Sequence, residues 1–148
     1  MLELKKFSNR SDLENVLSIN KLVEFLHKHL GQYGDEKDAI EKSIRFAFKE
    51  ENGLGGFIVL AHYDGKLAGA LVMNSTGMKD YIPENILVYV TVDSNFRNLG
   101  IGKQIVEKAI EEAKGDVKLH VENENPAKRL YERIGFKNKY AEMRFIKE

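Results

Sequence analysis

The stretch VTVDSNFRNLGIG, residues 90–102, leads from a strand-like run through a polar turn into a helix-like run. Two glycines, Gly100 and Gly102, stand where the helix begins, although glycine costs roughly 1 kcal/mol relative to alanine inside a helix. They indicate that some group approaches the backbone closely at this turn. A turn that enters a helix presents free N–H groups and the positive end of the helix dipole, a combination that binds phosphate.

Two other phosphate-binding patterns fit the turn poorly. A Walker A loop requires glycine at position 97 and serine or threonine at position 104, where this chain has Arg97 and Gln104. A dinucleotide fingerprint requires a small residue at position 105, which is Ile105, although Glu122 lies about where a ribose-binding acid would stand. A turn with no ligand at all remains an alternative at this point.

Composition favours a single domain over residues 1–148 and excludes several classes of partner. The 23 basic and 23 acidic residues give zero net charge, so no field attracts nucleic acid or an anionic membrane. Zero cysteines exclude thiolate chemistry and fit a reducing compartment. The histidines show no metal-ligand spacing, and we read no metal site. We expect a cytoplasmic monomer or homodimer without a signal peptide or membrane span.

The first half of the chain predicts one edge strand, two helices and a hairpin. The strand contains Leu2, Leu4 and Phe7, and the capping pattern Ser11-Asp12-Leu13-Glu14 predicts a helix from Asp12 that ends before Gly31. A second helix is expected from about Glu36 to Glu50. Two strands, Phe57–His62 and Leu67–Met73, flank Asp64-Gly65, a pair typical of a type I′ turn.

The second half predicts strands alternating with helices. Ile86–Val92 is expected as a strand whose even-numbered residues share one face and whose odd-numbered residues share the other. A helix from Ile101 should end at Gly115, and a strand should cover residues 117–121. Asn125-Pro126 reads as the cap and first residue of a short helix, and Lys139–Ile146 as a final strand. The order βααβββαβαβ predicts an α/β (α+β) domain with a mixed, mostly antiparallel sheet flanked by helices.

Two motifs carry a family resemblance. Arg97-Asn98-Leu99-Gly100-Ile101-Gly102 fits the pattern R/Q-x-x-G-x-G/A, and the segment from Asn125 to Phe136 fits N-x-A-x-x-L-Y-E-x-x-G-F. Together with the element order, these segments resemble GNAT-type N-acetyltransferases over nearly the whole chain. The family often has proline where this chain has Asp93, a departure that a turn tolerates.

The resemblance implies acetyl-CoA as co-substrate and a primary amine of a small molecule, peptide or protein as acceptor. It implies that the strand before the turn splays from its neighbour at a bulge, and that the unpaired backbone groups of Val90, Thr91 and Val92 bind the pantetheine arm and polarise the thioester carbonyl. The turn would bind the pyrophosphate, and Asn125 would donate a further hydrogen bond to CoA. The expected turn residues are Arg97, Asn98, Leu99, Gly100, Ile101, Gly102 and Lys103. Two rivals stay open: a non-catalytic acyl-CoA sensor, and an oxidoreductase fragment that uses Gly100, Gly102 and Glu122.

Candidate catalytic residues follow from the same resemblance. Tyr131 matches the tyrosine that protonates the departing CoA thiolate. For the general base, His120 occupies the position where related enzymes carry a glutamate, and its imidazole suits proton transfer near neutral pH. Glu84 and Glu122 are the other candidates. Several acidic and aromatic residues are expected to form a slightly acidic mouth for a cationic acceptor, namely Tyr33, Asp35, Glu36, Asp80, Tyr81 and Glu84.

Overall fold

A computed structural model describes residues 1–148 as five strands in one sheet with helices on both faces. The strands follow chain order across the sheet, and every neighbouring pair is antiparallel except the last, which is parallel. No helix is long and apolar enough to cross a membrane. The elements are β1 Leu2–Phe7, α1 Arg10–Glu14, α2 Ile19–Leu30, α3 Lys37–Ala47, β2 Gly56–Tyr63, β3 Lys66–Ser75, β4 Asn85–Val92, α4 Ile101–Glu112, β5 Val117–Leu119 and α5 Ala127–Ile134.

Apolar side chains form two clusters, one on each face of the sheet. The first contains buried residues of α1, α2 and α3, such as Leu22 and Ile44, packed on Leu60 and Val72 of the sheet. The second contains buried residues of α4 together with Tyr131 of α5. We call these the α2/α3 face and the α4 face. The predicted α/β class with a mixed, mostly antiparallel sheet is confirmed.

The β2–β3 hairpin closes as the sequence predicts. Asp64 and Gly65 both have positive φ, at 50° and 81°, between the paired residues Tyr63 and Lys66. Positive φ at both central positions is what a type I′ turn requires.

The prediction of one helix from Asp12 to Leu30 is wrong at two points. Asn9, not Ser11, caps α1: its side chain accepts a hydrogen bond from the Asp12 amide at 2.9 Å. The chain then breaks after Glu14, because extended Ser18 caps a new helix by accepting from the Lys21 amide at 3.2 Å. Both caps satisfy amides that a continuous helix would have bonded internally.

The predicted alternation along β4 is also wrong. Against β3, Val72 pairs with Tyr89 but Met73 pairs with Leu87, so Val88 is an extra, bulged residue. Val88 and Tyr89 therefore both contact the α2/α3 face, whereas Leu87, Val90 and Val92 contact the α4 face. A bulge shifts the two-residue period by one, and no local pattern in β4 announces it.

The predicted final strand over Lys139–Ile146 does not form, and β5 ends at Leu119 instead of Val121. The large apolar residues of this segment alternate inconsistently: Tyr140 and Ile146 would face one way, Met143 and Phe145 the other. All four are exposed in the structure. Because neither face of such a strand is wholly apolar, the pattern does not select a register against the sheet.

Candidate active site

The sheet opens between β4 and β5. The two strands pair only through Asn85–Val117, Ile86–Lys118 and Leu87–Leu119, so residues 88–92 of β4 have no strand partner on that side. The bulge at Val88 stands directly after the last pair. Since a bulge bends its strand and increases its twist, it accounts for the separation. We call this gap the β4–β5 opening.

The backbone of β4 alternates between β3 and the opening. The Asp93 amide donates to the Ala68 carbonyl at 2.8 Å. In an antiparallel ladder every second residue bonds to the same neighbour, so Thr91 also bonds to β3 while Val90 and Val92 direct their N–H and C=O groups into the opening. The structure thus brings Val90 and Val92 of the predicted trio to the opening, whereas the backbone of Thr91 is occupied within the sheet.

The turn after β4 exposes a run of unbonded amides. Asn98 and Gly100 have φ values of 67° and 74°, and the N–H groups of residues 98–103 donate no backbone hydrogen bond. The first helical bond of α4 runs from the Gln104 amide to the Gly100 carbonyl at 3.2 Å. These donors lie at the positive end of the α4 dipole, which is an arrangement suited to a phosphate group.

Arg97 and Gly102 stand at the two ends of this turn. The Arg97 guanidinium donates to the Val92 carbonyl from Nε and Nη2, at 3.4 and 3.3 Å, on the side of β4 that faces the opening. At Gly102, a Cβ atom would lie 3.4 Å from Leu130 Cδ2 of α5 and 3.6 Å from Val92 Cγ2. Gly102 therefore lies where α4 packs close to side chains of both α5 and β4, beside the unbonded amides.

Tyr131 lies on the α4 face with its ring buried and 8% of its surface exposed. Asn125 fixes the start of α5 because its Oδ1 accepts from the Ala127 amide at 2.9 Å, as the sequence predicts for a cap. The Tyr131 ring packs edge-on against Phe136, with centroids 5.8 Å apart. Burial raises the pKa of Tyr131 to about 12, so the phenol stays protonated at neutral pH.

His120 follows the last β4–β5 pair and belongs to the other face. Val117 and Leu119 contact the α4 face, so the alternation of side chains directs Lys118 and His120 towards the α2/α3 face. Burial, and after it the charge of Lys118, lower the pKa of His120 from its usual 6.5. The imidazole is therefore neutral at pH 7 and able to accept a proton.

The structure does not bring Glu84 to the opening. Glu84 directly precedes β4, and its Oε1 accepts a hydrogen bond at 3.2 Å from the amide of Asp116, which directly precedes β5. At about 3.3 Å per strand residue, this places it roughly 20 Å along the chain from Val90. Asp80 and Tyr81 lie in the same distant loop. Glu122 is exposed in the connection to α5 and is not part of a strand.

Of the residues predicted to form an acidic mouth, only those between α2 and α3, namely Tyr33, Asp35 and Glu36, belong to a segment near the opening. The connection between α2 and α3, residues 31–36, crosses the α2/α3 face of the opening. Its Tyr33 hydroxyl donates to the Glu124 carbonyl beyond β5 at 3.4 Å, and its Asp35 accepts from the Tyr89 hydroxyl of β4 at 2.5 Å. The segment thus contacts both sides of the gap.

Sequence reasoning missed the role of Tyr89, which it placed only on one strand face. The ring is 7% exposed, and burial followed by the bond to Asp35 raises the pKa of its phenol. A second missed link ties α2 to β4: the Thr91 hydroxyl donates to the His29 carbonyl at 3.0 Å, and His29 Nε2 lies 3.7 Å from Asp93 Oδ2. No local signal could have found contacts between residues so far apart in sequence.

Comparison with known proteins supplies the family. The sequence model described as "Acetyltransferase (GNAT) family" matches residues 20–136. A comparison with curated protein sequences gives no match. The solved structures described below are under 25% identical to this chain and show similarity of fold.

Three of these structures are instructive. A GNAT family acetyltransferase from Streptococcus pneumoniae TIGR4 has a TM-score of 0.69 at 16% identity, with 100% of both chains covered. An aminoglycoside N-acetyltransferase in complex with CoA has a TM-score of 0.66 at 17% identity, covering 99% of this chain and 95% of the other. A ribosomal-protein-alanine N-acetyltransferase from Brucella melitensis biovar Abortus 2308 has a TM-score of 0.65 at 15% identity, covering 99% of each chain.

Proposed function

Because the chain belongs to the GNAT family of acetyltransferases, we propose that it transfers the acetyl group of acetyl-CoA to a primary amine across the β4–β5 opening. One observation carries the proposal: unbonded amides of residues 98–103 stand next to a gap in the sheet, and along its edge the backbone groups of Val90 and Val92 have no strand partner. The amides suit the pyrophosphate, and the strand edge suits the amide-containing pantetheine arm.

The two substrates bind on opposite faces of the opening. The turn, α4 and Tyr131 lie on the α4 face, which receives the thioester donor. His120 and the connection of residues 31–36 lie on the α2/α3 face, which receives the amine. A donor and an acceptor that enter from opposite faces meet in line at the opening, so that proximity replaces a bimolecular encounter.

The chemistry follows from this arrangement. The neutral amine attacks the thioester carbonyl carbon, a C–N bond forms, and negative charge develops on the carbonyl oxygen, where a β4 amide facing the opening stabilises it. His120 accepts a proton from the amine nitrogen, directly or through water. The C–S bond then breaks, the electron pair leaves with sulfur, and Tyr131 donates its proton to the thiolate. The products are an N-substituted acetamide and free CoA, and proton exchange with solvent then returns His120 to its neutral form and Tyr131 to its phenol form.

A thiol-release assay tests the proposal across polyamines, aminoglycosides, amino acids and peptide N-termini. Because structures of the same fold are named as an aminoglycoside acetyltransferase and a ribosomal-protein-alanine acetyltransferase, aminoglycosides and peptide N-termini are the first acceptors to try. We expect amine-dependent release of CoA and a product about 42 Da heavier than the acceptor, because an acetyl group replaces one hydrogen atom of the amine. Tight acetyl-CoA binding with no release on any amine would instead identify the alternative, a sensor domain.

A further inference from the structure

We propose that Asp35, held in position by Tyr89, binds a second cationic group of the acceptor, so that this enzyme prefers diamines and polyamines to monoamines. The inference rests on the proposed function and names the acceptor class for the same opening. It depends on one pair of residues from two distant parts of the chain, 54 positions apart, that meet beside the gap.

The pair lies where an acceptor must pass. Tyr89 stands two residues after the last β4–β5 pair, on the α2/α3 face. Its ring is nine-tenths buried, and its hydroxyl donates to Asp35 Oδ2 at 2.5 Å. The turn that suits the pyrophosphate and Tyr131 lie on the opposite face. The carboxylate is therefore on the side left free for the amine.

The carboxylate is open to a cation. Asp35 is exposed, forms no ion pair in the structure, and has the Tyr89 hydroxyl as its side-chain hydrogen-bond donor. An ionised carboxylate has about four acceptor positions on its two oxygens, so Oδ1 and part of Oδ2 stay available. The bond from a buried phenol fixes the direction of the carboxylate, and charge-assisted bonds to ammonium groups are stronger than neutral ones.

The bound cation is not the amine that reacts. A nucleophilic amine must be neutral when it attacks, whereas a neighbouring carboxylate favours the charged form. The reacting nitrogen belongs beside His120 on the β5 side of the opening, and Asp35 stands on the β4 side. The connection of residues 31–36 contacts both sides through Tyr33 and Asp35. An acceptor with two amines can place one nitrogen at each side.

Binding to a dead-end complex tests the inference without requiring turnover. Calorimetric titrations measure the affinity of 1,4-diaminobutane and of butylamine for the protein saturated with CoA. We expect the diamine to bind the parent about tenfold or more tightly than the monoamine, and Asp35→Asn to remove most of that preference. Asp38→Asn, which removes an exposed negative charge three residues further on, is the matched control and should keep the preference.

Tyr89 acts as a positioning residue, so its variant has a distinct signature. Tyr89→Phe should reduce the preference for the diamine by less than Asp35→Asn does. When Asp35 is already replaced by Asn, adding Tyr89→Phe should reduce the preference for the diamine no further, because both residues contribute to one interaction. In the steady state, both substitutions should raise the KM for diaminobutane relative to butylamine more than they lower kcat.

The outcomes separate the inference from the function on which it rests. Equal affinity of the parent for diamine and monoamine, or a preference that survives Asp35→Asn, would overturn the inference even if the enzyme acetylates amines. A preference lost only in Asp35→Asn would uphold the cation site even if no thiol is released, in which case acetyl transfer is what fails. If Asp38→Asn lost the preference for the diamine as fully as Asp35→Asn does, the effect would be one of general charge, and the cation site at Asp35 would also be overturned.

Discussion

Leu87 and Leu119 are the last residues through which β4 and β5 pair, and both side chains contact the apolar cluster on the α4 face. Immediately beyond them the strands part at the bulged Val88. Tyr89 and His120, which are assigned to the acceptor, lie within two residues of this junction, whereas the glycine turn assigned to the donor follows the other end of the unpaired part of β4. The proposed site therefore extends along the separation, between the two apolar clusters that cover the faces of the sheet.

Valine at the glycine turn should weaken CoA binding. Gly100 has a φ of 74°, and its nearest possible neighbour is Gln104 Nε2 at 4.0 Å, so a side chain there meets open space that the proposal assigns to phosphate. We expect Gly100→Val and Gly102→Val to raise the Kd for CoA at least tenfold, about 1.4 kcal/mol. Isothermal titration calorimetry measures the change.

A control at Gly65 distinguishes backbone strain from obstruction of the CoA site. Gly65 also has positive φ, at 81°, and open space around it, in the β2–β3 turn. A β-branched residue at either position costs stability through the backbone, roughly 1–2 kcal/mol. Gly65→Val should therefore lower the Tm about as much as Gly100→Val while binding CoA like the parent. Folded turn variants that bind CoA normally would rule out the phosphate assignment.

The stability of the protein should depend on the buried face of α4, the helix that follows the turn. Ile105 of α4 is fully buried, whereas Ile110 of the same helix is 37% exposed. Ile105→Ala should cost about 2–5 kcal/mol of unfolding free energy through lost burial and a residual cavity. Ile110→Ala should cost clearly less. Urea denaturation monitored by circular dichroism gives both values, and similar costs would contradict the packing of α4 described above.

Much of the fold could be predicted because its signals are local. The turn glycines, the Asp64-Gly65 hairpin and the cap at Asn125 each act within a few residues, and the structure has all three elements. The bulge at Val88 has no local signal, because it arises from the register between β3 and β4; the family resemblance implied a bulge in this strand but did not give its position. The break between α1 and α2 could not be located from the sequence. Asn9, Ser11 and Ser18 are all suitable helix caps, and no glycine or proline marks the boundary between the two helices.

The site divides in the same way. The phosphate turn and Tyr131 stand in contiguous motifs, so sequence alone suggests them. The Tyr89–Asp35 bond joins residues 54 positions apart and depends on the bulge that turns Tyr89 to the α2/α3 face. Glu84 looked suitable because it precedes β4, but position next to a strand does not determine which end of the strand carries the opening.

The pH dependence should identify His120 as the base. Burial and Lys118 lower its pKa below 6.5, so it is deprotonated and active above that pH and loses activity as pH falls through the lowered value. The acidic limb of kcat/KM should therefore lie below pH 6.5 and be independent of the pKa of the acceptor. His120→Gln should lower turnover and abolish that limb.

A neighbouring charge provides a finer test of the same group. Because the positive charge of Lys118 lowers the pKa of His120, Lys118→Met should raise that pKa and move the acidic limb to higher pH. Lys66→Met removes an exposed charge in the distant β2–β3 hairpin and should leave the limb in place. If Lys118→Met does not move the limb, another group is the base, and Glu122 becomes the next candidate.

Tyr131→Phe should separate proton donation from packing. The hydroxyl has no hydrogen-bond partner in the structure, so its removal should change neither the Tm nor the affinity for CoA appreciably. If the phenol protonates the departing thiolate, turnover should fall about 10²–10⁴-fold. Tyr63→Phe, on a ring that packs against Phe96 with centroids 5.9 Å apart, is the matched control and should retain full turnover.

The dependence on the leaving group then decides which role Tyr131 has. A CoA thiol has a pKa near 8.5 in water, whereas burial raises the pKa of the phenol to about 12. Complete proton transfer to sulfur is therefore uphill unless the same buried site also raises the pKa of the departing thiol. A thioester with a more acidic thiol needs less help, and its turnover should fall less in Tyr131→Phe. Equal losses on both thioesters would mean that the hydroxyl positions the donor. Since a pKa near 12 keeps the phenol protonated, the parent should show no alkaline loss from this group up to about pH 10, and a loss at pH 8 that disappears in Tyr131→Phe would contradict the assignment.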